Sequence, residues 1–549
     1  TLCAAQPARK GPRRHNGLIG MADEMELQAR RARGPGSPID GRDAFRCIAM
    51  FENSEMPFLY PDLARMLRKE YGARIVLFAK NETNARHYRS VMADCFDEIR
   101  TYQTPLSHFK GGQCVGLDQE GDIIERARAI EKTLNRTINS LRINDRQLGR
   151  GFMLAGPGHP RTRSESLFTD HRALASYVLT IEEWLALYES YDFSLIIDGP
   201  VWTDAHCRVK NIPWRKFLPV RHKSFNYWMT AFTGESAMIS ETFAQLSATP
   251  AEPDAVEMPH HQYDLAYTLD RTFKKTNTFT RMLWSSALIF ARFGHSILRG
   301  YESAWGYLPT SNTAYLFRRW RDARLYQRQN VVSLESYDAK DYVLFPLQME
   351  PELSLQGFSP EFFFQHTAIA IIAKSLPAGV RLVVKEHKYG LGRRPPRFYQ
   401  EIKKLGNVDF ADLYESGFNW VRKAKAVACI SSSAGFEAAI MGVPVVCFGL
   451  HNIYSSMHHA FICQTTSDAD NALTTIFNGG VDRSKAEQEG RLLIQAVERA
   501  SVDMGDYSKA VRSSYDDKLL RRIADNLLQS TGSSQPITPH TLQTSPHGG

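Results

Sequence analysis

The stretch from Ala426 to Gly449, AVACISSSAGFEAAIMGVPVVCFG, carries the clearest binding chemistry in this sequence. An apolar run ends in Ser431, Ser432 and Ser433, and small and apolar residues then continue to a second apolar run. This pattern predicts a strand, a turn, a helix and a second strand. Serine hydroxyls and the unpaired N–H groups at the start of a helix favour an anion, and a phosphate would fit there.

Two more residues of this stretch bear on the same hypothesis. Gly435 allows the backbone to approach a ligand closely. Glu437 lies in an otherwise apolar helix, where its carboxylate could accept hydrogen bonds from ribose hydroxyls. An ordinary serine-capped helix, with Glu437 favouring the helix dipole, explains the same residues. Both interpretations stay open at this point.

A second polar group ends the predicted strand Arg381 to His387, RLVVKEH. Lys385 and His387 are two residues apart and therefore lie on the same face of the strand. We expect them beside the serine turn, where they could neutralise a phosphate, with His387 as proton donor. A structural hydrogen bond is the alternative role for this histidine. Gln348, at the end of a neighbouring strand, could bind a sugar or a base, or merely contact an adjacent loop.

The elements that position these residues form two β-α repeats. The first repeat has strands at Arg46 to Phe51 and Ala73 to Ala79 with a helix between them, and a later strand at Phe193 to Ile197. This order is typical of a parallel sheet with Rossmann-like winding. From about Pro213 to Arg328 the pattern is mostly helical, aromatic and rich in Arg and Lys, which indicates a solvated surface, an anionic acceptor or lipid headgroups.

The second repeat is more regular. Its predicted strands are Tyr342–Gln348, Arg381–His387 and Val408–Phe410, and its predicted helices are Pro360–Ser375, Arg397–Leu405, Gly417–Lys425, Asp468–Asn478 and Tyr507–Leu528. The sequence therefore predicts an α/β protein with two Rossmann-like domains facing a cleft. We expect a disordered leader (1–42), a first domain with a helical connector (43–335), a second domain (336–529) and a disordered tail (530–549).

Composition narrows the function classes. The 67 Lys and Arg residues exceed the 59 Asp and Glu residues by 8 over 549 residues, which fits an anionic ligand or membrane surface better than nucleic acid. The eight cysteines form no CxxC pair and indicate buried thiols in a reducing compartment. No stretch reaches the roughly 18 apolar residues of a membrane span, and the first 42 residues lack the apolar core of a secretory signal. These features favour a cytoplasmic protein.

The strand ending in PLQ, the strand ending in VVKEH and the segment SSSAGFEAAIMGVPVVCFG together resemble the capsular polysaccharide synthesis family. Members of this family include transferases that use CMP-activated Kdo to build capsule linkers. The resemblance is best from Tyr342 to Tyr454. The family pattern usually has proline after the histidine, where this chain has Lys388.

The resemblance implies a GT-B fold in which the second domain holds a nucleotide-sugar and the first domain holds the acceptor. We expect an inverting, metal-independent hexosyl- or Kdo-transferase that moves a Kdo-like sugar from a CMP-sugar to a lipid-linked or polymeric saccharide of the cell surface. We also expect it to lie peripherally on the inner face of the cytoplasmic membrane. Such a reaction needs a general base in the first domain. Asp198 is the first candidate and Glu52 the second, although an Asp198-Gly turn explains Asp198 equally well.

No metal and no other cofactor are expected. Asp468 and Asp470 spell a metal-binding Asp-x-Asp pattern, but a helix follows directly and capping explains them. His458 and His459 have no cysteine or carboxylate at metal-binding spacing. Two other functions remain: a nucleotide-sugar (UDP-sugar) epimerase of the same architecture, and an inactive nucleotide-sugar-binding protein.

Overall fold

The structure is a computed structural model. It describes residues 44–53, 56–110, 113–114, 120–144, 149–150, 153–154, 169–220, 222–248, 273, 275–298, 309–350, 352–359, 362, 364–505 and 515–532. The expected leader and residues 533–549 of the expected tail lie outside the described residues.

The first half of the chain builds a sheet around the strand β1. Its strands are β1 (Cys47–Phe51), β2 (Arg74–Ala79), β3 (Glu98–Thr101), β4 (Leu195–Ile197), β5 (Trp214–Pro219) and β6 (Phe225–Met229). Strand β1 pairs in parallel with both β2 and β4. The chain therefore extends the sheet first towards β3 and then, in the opposite direction, towards β6. The strand order reverses between β1 and β4.

The second half repeats this winding. Its strands are β7 (Tyr342–Pro346), β8 (Arg381–Lys385), β9 (Val408–Phe410), β10 (Ala426–Cys429), β11 (Val445–Cys447) and β12 (Ala460–Ile462). They pair in parallel in the order β9-β8-β7-β10-β11-β12, so this sheet reverses between β7 and β10. This is the Rossmann strand order. The α/β prediction with two Rossmann-like units, as in GT-B enzymes, is confirmed.

Helices cover both sheets. They are α1 (Leu59–Tyr71), α2 (Glu82–Val91), α3 (Glu120–Leu134), α4 (Ile138–Leu141), α5 (Asp170–Ser190), α6 (Val201–Lys210), α7 (Ala237–Ala248), α8 (Phe279–Leu298), α9 (Pro309–Gln327), α10 (Leu353–Phe358), α11 (Gln365–Ser375), α12 (Phe398–Lys403), α13 (Gly417–Lys423), α14 (Ser433–Ile440), α15 (Thr466–Phe477), α16 (Arg483–Ala500) and α17 (Asp517–Gly532). The sheets are buried between them, and the central strands β1 and β10 are almost fully shielded from solvent. This explains why parallel strands appear in the sequence as continuous apolar runs.

The end of the chain returns to the first sheet. A short strand, β13 (Val502–Asp503), pairs antiparallel with β6. Helix α17 buries Leu520, Ile523 and Leu527 in the core formed with β1 and α1. The sequence predicts that this segment belongs to the second domain and that the tail begins at residue 530, because an apolar stripe does not indicate which sheet a helix covers. The helix continues to Gly532.

The two units also contact each other through helices. Helix α16 packs against α7, and Leu493 and Val497 share a hydrophobic cluster with Ile239 and Phe243. His451 Nδ1, after β11, lies 3.1 Å from Glu235 Oε1, after β6. Helix α16 therefore connects the second sheet to the first unit.

Burial in the structure agrees with the expected state of the cysteines. Six of them are free and buried: Cys47, Cys95, Cys207, Cys429, Cys447 and Cys463. Among the described residues, no helix combines the length and apolar character needed to cross a membrane.

A buried arginine fixes the returning helix. Arg215 is 1% exposed, its Nε donates to Ser530 Oγ (3.0 Å), and its Nη2 donates to the Ser530 carbonyl. Burial lowers the pKa of Arg215 to about 10. Its Nη1 also donates to the Trp214 carbonyl (2.8 Å), and the nearby charge of Asp204 favours the protonated guanidinium.

We predict that Arg215→Ala lowers the free energy of unfolding by about 2–4 kcal/mol, because the buried Ser530 carbonyl loses its arginine donor and a cavity opens. Urea unfolding followed by circular dichroism measures this loss. Lys518→Ala, on the exposed side of the same helix, should change stability by less than about 0.5 kcal/mol. Equal effects of both substitutions would contradict this role of Arg215.

Candidate functional site

The predicted site residues lie at the two points where the sheets reverse. Gln348 follows β7 and Ser431 follows β10, on either side of the reversal in the second sheet. Glu52 follows β1 and Asp198 follows β4, on either side of the reversal in the first sheet. Ligands of open α/β sheets bind beyond the carboxyl ends of the strands at such reversals. The topology therefore places each of these two pairs of residues where a ligand could bind.

Gln348 and Ser431 bind each other. Gln348 Nε2 donates to Ser431 Oγ, and the Ser431 N–H donates to Gln348 Oε1, both at 3.0 Å. Ser431 Oγ donates in turn to the Ser354 carbonyl (2.9 Å), and the Gln348 N–H donates to Gln365 Oε1 (2.6 Å). These bonds fix the shape of the serine turn. In this structure the two side chains position the turn, which agrees with the loop-contact alternative for Gln348.

Helix α14 begins beyond this turn without a side-chain cap. Ser432 is the N-cap residue, yet its side chain makes no capping hydrogen bond. Ser433, at the first helical position, is exposed. The capping alternative therefore does not describe Ser432, and the first N–H groups of α14 are not covered by its hydroxyl.

Gly435 and Glu437 lie deeper in α14. A Cβ atom at Gly435 would lie 2.4 Å from the Tyr454 hydroxyl oxygen and 2.6 Å from Cys429 Sγ. Glycine is thus required here for packing of the helix on Tyr454, a reason that the sequence analysis did not find. Glu437 is 8% exposed. Its proposed contact with ribose stays a prediction.

Lys385 lies further from the serine turn than expected. Its Nζ donates to the Asp412 carbonyl (2.8 Å), which follows β9. Strand β7 separates β8 from β10, so this amine lies on the side of β8 away from Ser431. Among the described residues, no hydrogen bond joins Lys385 or His387 to the serine turn. Both motifs can be recognised in the sequence, but the order of the strands between them cannot.

Burial affects the charge of two lysines at this strand end. It lowers the pKa of Lys385 to about 8 and that of Lys388 to about 8, while nearby Asp412 acts in the opposite direction. Lys388 stands where the family usually has proline. Both amines are mostly protonated at neutral pH and lose their charge in mild alkali.

His387 is an exposed residue, and the charged groups of Arg394, Lys385 and Arg393 lie near its ring. Desolvation, aided by Arg394 and Lys385, lowers the pKa of His387 to about 4, so the imidazole is neutral at pH 7. The Tyr389 N–H donates to Nδ1 (3.3 Å), which leaves the hydrogen on Nε2. His387 can therefore donate a hydrogen bond, but it does not carry the extra proton of an imidazolium before a ligand binds.

Glu386, between these two residues, points to the opposite face of the strand. It accepts hydrogen bonds from Arg394 Nε (2.9 Å), Arg394 Nη2 (2.5 Å), the Tyr399 hydroxyl (2.5 Å) and the His387 N–H (2.6 Å). All three side chains of this network are buried. It fixes the loop that carries His387 and Lys388.

A group of arginines borders this loop and was missed in the sequence. The Gly392 N–H donates to Asp322 Oδ2 (3.1 Å), which places the loop on α9. Buried Nε atoms of Arg318, Arg319 and Arg393 have no hydrogen-bond partner among the described residues. Burial lowers the pKa of Arg318 and of Arg319.

These arginines and the strand end together form a group that we call the basic cluster: Lys385, His387, Lys388, Arg318, Arg319 and Arg393. Hydrogen-bond donors of this kind suit an anion. The run RRWRDAR in α9 is the sequence signal for it.

The two candidate bases already have partners. Glu52 accepts hydrogen bonds from the Lys80 N–H (2.8 Å) and from Asn84 Nδ2 (2.7 Å). Asp198 has a left-handed backbone (φ 59°), and its carboxylate forms an ion pair with Lys216. Burial raises the pKa of Tyr102, and the negative charges of Glu52 and Asp198 raise it further. Both carboxylates therefore lie near this tyrosine. Their role as a base stays a prediction.

One metal expectation needs correction. Glu489 Oε2 lies 2.9 Å from His458 Nδ1 and 3.6 Å from His459 Nδ1, so the histidine pair does have a carboxylate partner. Spacing could not reveal it, because Glu489 is about 30 residues further along the chain. Asp468, by contrast, forms a capping box with Thr465 at the start of α15, which confirms its predicted capping role.

The model of the family described as "capsule polysaccharide biosynthesis protein" matches residues 291–457, less than a third of the chain. No curated protein matches this chain at a significant level. Among solved structures, the chain is similar to Anabaena HepE in complex with UDP and glucose, with 10% identity, TM-score 0.25, and coverage of 88% of this chain and 100% of that chain.

Two other solved structures are similar at the same level. KpsC of Thermosulfurimonas dismutans, described as a beta Kdo 2,7 transferase, has 14% identity and TM-score 0.26 over 53% of this chain and 80% of that chain. A putative UDP-N-acetylglucosamine 2-epimerase from Listeria monocytogenes has 10% identity and TM-score 0.24 over 88% of this chain and 95% of that chain. TM-scores of this size carry no argument, so the fold assignment rests on the sheet topology. The family model matches residues 291–457, which contain the serine turn and the basic cluster, and this match agrees with the sequence resemblance.

Proposed function

We propose that this protein is a glycosyltransferase of capsule polysaccharide synthesis that takes its sugar from a nucleotide-sugar donor. One observation carries the proposal: the basic cluster, in which the buried Nε atoms of Arg318, Arg319 and Arg393 have no hydrogen-bond partner among the described residues, lies at the carboxyl edge of the second sheet, inside the segment that matches the family model. Sugar transfer leaves negative charge on the nucleotide phosphate, and that charge must be stabilised.

The basic cluster and α14 could share this task. An ammonium group has three N–H donors, and the Asp412 carbonyl uses one of those of Lys385. The N–H groups at the start of α14 favour an anion from the other side of β7. A phosphate beside His387 would raise its pKa, which favours protonation of the imidazole as the leaving group develops charge. These fixed positive groups would supply the charge that other transferases take from a divalent ion.

The finer parts of the proposal rest on the family resemblance. They are a CMP-activated, Kdo-like sugar, a lipid-linked or polymeric acceptor and an inverting course. Inversion requires a base that reaches the acceptor, so Asp198 would have to exchange its Lys216 partner for the acceptor hydroxyl, and Glu52 is the second candidate. The anomeric configuration of the product, read by NMR, tests this course directly.

Donor binding tests the proposal first. We predict that CMP-Kdo raises the melting temperature, because a ligand that binds only the folded state stabilises it, and that UDP-sugars do so less. The Lys385→Met variant should need at least tenfold more donor for the same rise in melting temperature. Lys485→Met changes an exposed residue of α16 and should respond like the unmodified protein. A response to UDP-sugars alone would remove the Kdo assignment. Conversion of the donor without any acceptor would identify an epimerase, and a response to no nucleotide-sugar would overturn the proposal.

The lysine pKa values predict a pH dependence. Lys385 and Lys388 lose their protons above about pH 8 in the free protein, whereas the phosphodiester of a CMP-sugar does not titrate there. Donor affinity should therefore be nearly constant below pH 7 and fall above pH 8 by up to about tenfold per pH unit for each of the two lysines that contacts the donor. In the Lys385→Arg, Lys388→Arg double variant, which keeps both charges, affinity should stay level to pH 9.5. An equal decline in both proteins, measured by calorimetry, would exclude the lysines as its source.

We also propose that helix α8 binds an anionic membrane surface. Phe279, Leu283, Phe290 and Ile297 are 47–57% exposed, and helical geometry places them within about 40° of one another. Trp284 (60% exposed) and Leu298 (88% exposed) widen this apolar face. Helix α8 contains no Asp or Glu, and Arg281 and Arg292 are exposed on it.

The neighbouring helix strengthens the match to anionic lipid. Helix α9 packs along α8 and carries the exposed Arg321 and Arg324. Apolar side chains beside arginines are typical of helices that lie in the headgroup region of a bilayer. A surface of this kind would bring the basic cluster close to a lipid-linked acceptor.

We predict that the protein floats with vesicles containing phosphatidylglycerol, and less with pure phosphatidylcholine. Leu283→Glu with Phe290→Glu should reduce the bound fraction at least tenfold, because two exposed apolar side chains become charged. Val209→Glu, a 49% exposed valine on α6, serves as the control and should bind normally. Equal binding of all three proteins would contradict the assignment of α8.

A further inference from the structure

We propose that His458, His459 and Glu489 bind a divalent transition-metal ion, with Zn²⁺ the best match. This cluster lies at the amino-terminal edge of the second sheet, because the His459 carbonyl accepts the Val445 N–H (2.9 Å) where β11 begins. Gln348 and the serine turn lie at the carboxyl-terminal edge. The ion would therefore stabilise the fold and would not take part in sugar transfer.

His459 provides the central observation. It is fully buried, and its Nε2 lies 2.9 Å from the Ala439 carbonyl, which can only accept a hydrogen bond. Nε2 therefore carries the hydrogen and Nδ1 carries the lone pair. That Nδ1 is buried without a hydrogen-bond partner and faces Glu489 Oε2 at 3.6 Å. Two facing acceptors are unfavourable unless a cation or a proton lies between them.

The remaining geometry fits such a cation. His458 Nδ1 lies 2.9 Å from Glu489 Oε2, and the candidate ligand atoms of the three residues all lie within 4.8 Å of one another. Zn²⁺ with bonds of about 2.0–2.2 Å in tetrahedral geometry places its ligand atoms about 3.3 Å apart, between the two observed distances. Two histidines and a carboxylate leave a fourth position for water. The Ala439 carbonyl holds the distal N–H of His459, as is usual for a metal-bound histidine.

Metal binding requires an ionised Glu489 carboxylate and a lone pair on Nδ1 of both histidines. A proton on His459 Nδ1 is the competing explanation, and the experiment below separates the two.

The ion would join three elements. His459 precedes β12, its Nε2 contacts the end of α14, and Glu489 belongs to α16. At the next residue, Gly490, a Cβ atom would lie 2.2 Å from the Ile440 carbonyl, so α16 and α14 are in direct contact. Since α16 also packs on α7, a bound ion would fix the helix that links both units.

Metal content and spectroscopy test this proposal on the full chain, purified without a polyhistidine tag. After treatment with a chelator and dialysis, we expect the protein to take up about one Zn²⁺ per chain and to melt a few degrees higher. Added Co²⁺ should give the strong visible absorption of a tetrahedral site. The Glu489→Gln variant and, separately, the His458→Ala variant should need at least tenfold more metal ion to show either signal. Glu487→Gln, on the exposed side of the same helix, should retain them.

Two results would overturn the proposal. The first is the absence of stoichiometric Zn²⁺ uptake and of Co²⁺ absorption in the unmodified protein, which would leave the proton on His459 as the explanation. This readout does not depend on the folding of any variant. The second is unchanged metal uptake in both Glu489→Gln and His458→Ala, which would place the ion elsewhere.

Discussion

The reciprocal hydrogen bonds between Gln348 and Ser431 join the ends of two strands where the second sheet reverses direction. This contact fixes the serine turn and, through it, the start of α14. It also occupies the polar groups that a sequence analysis assigns to a ligand. Binding is left to the N–H groups of α14 and to the basic cluster across β7. Strand order, rather than the motifs alone, decides which groups can meet a phosphate.

The basic cluster is electrostatically unusual before a ligand arrives. Lys385 and Lys388 are desolvated enough for their pKa values to fall to about 8, while the buried Glu386 is fully engaged with Arg394 and Tyr399. Burying positive charge is unfavourable, and the nearby carboxylate of Asp412 offsets this cost only in part for the two lysines. An anion would restore the balance, which links the low lysine pKa values to binding. The rigid Glu386 network keeps these charges in place.

The sequence predicted the strands and helices better than it predicted the contacts between them. Strands such as β7 and β10 were recognised because strands buried on both faces are continuous apolar runs, and Asp468 was recognised as a cap because capping is local. The contacts that were missed join residues distant in sequence. They include Arg215 with Ser530, Glu489 with His459, and the separation of Lys385 from Ser431 by β7. Neither periodicity nor spacing contains this information.

A crystal structure with bound CMP-Kdo tests the central claim most directly. The account predicts the donor phosphate at the carboxyl edge of the second sheet, within hydrogen-bond distance of the first N–H groups of α14 and of Lys385 or His387. A phosphate bound elsewhere, or a donor complex in which these side chains still point away from the ligand, would contradict it.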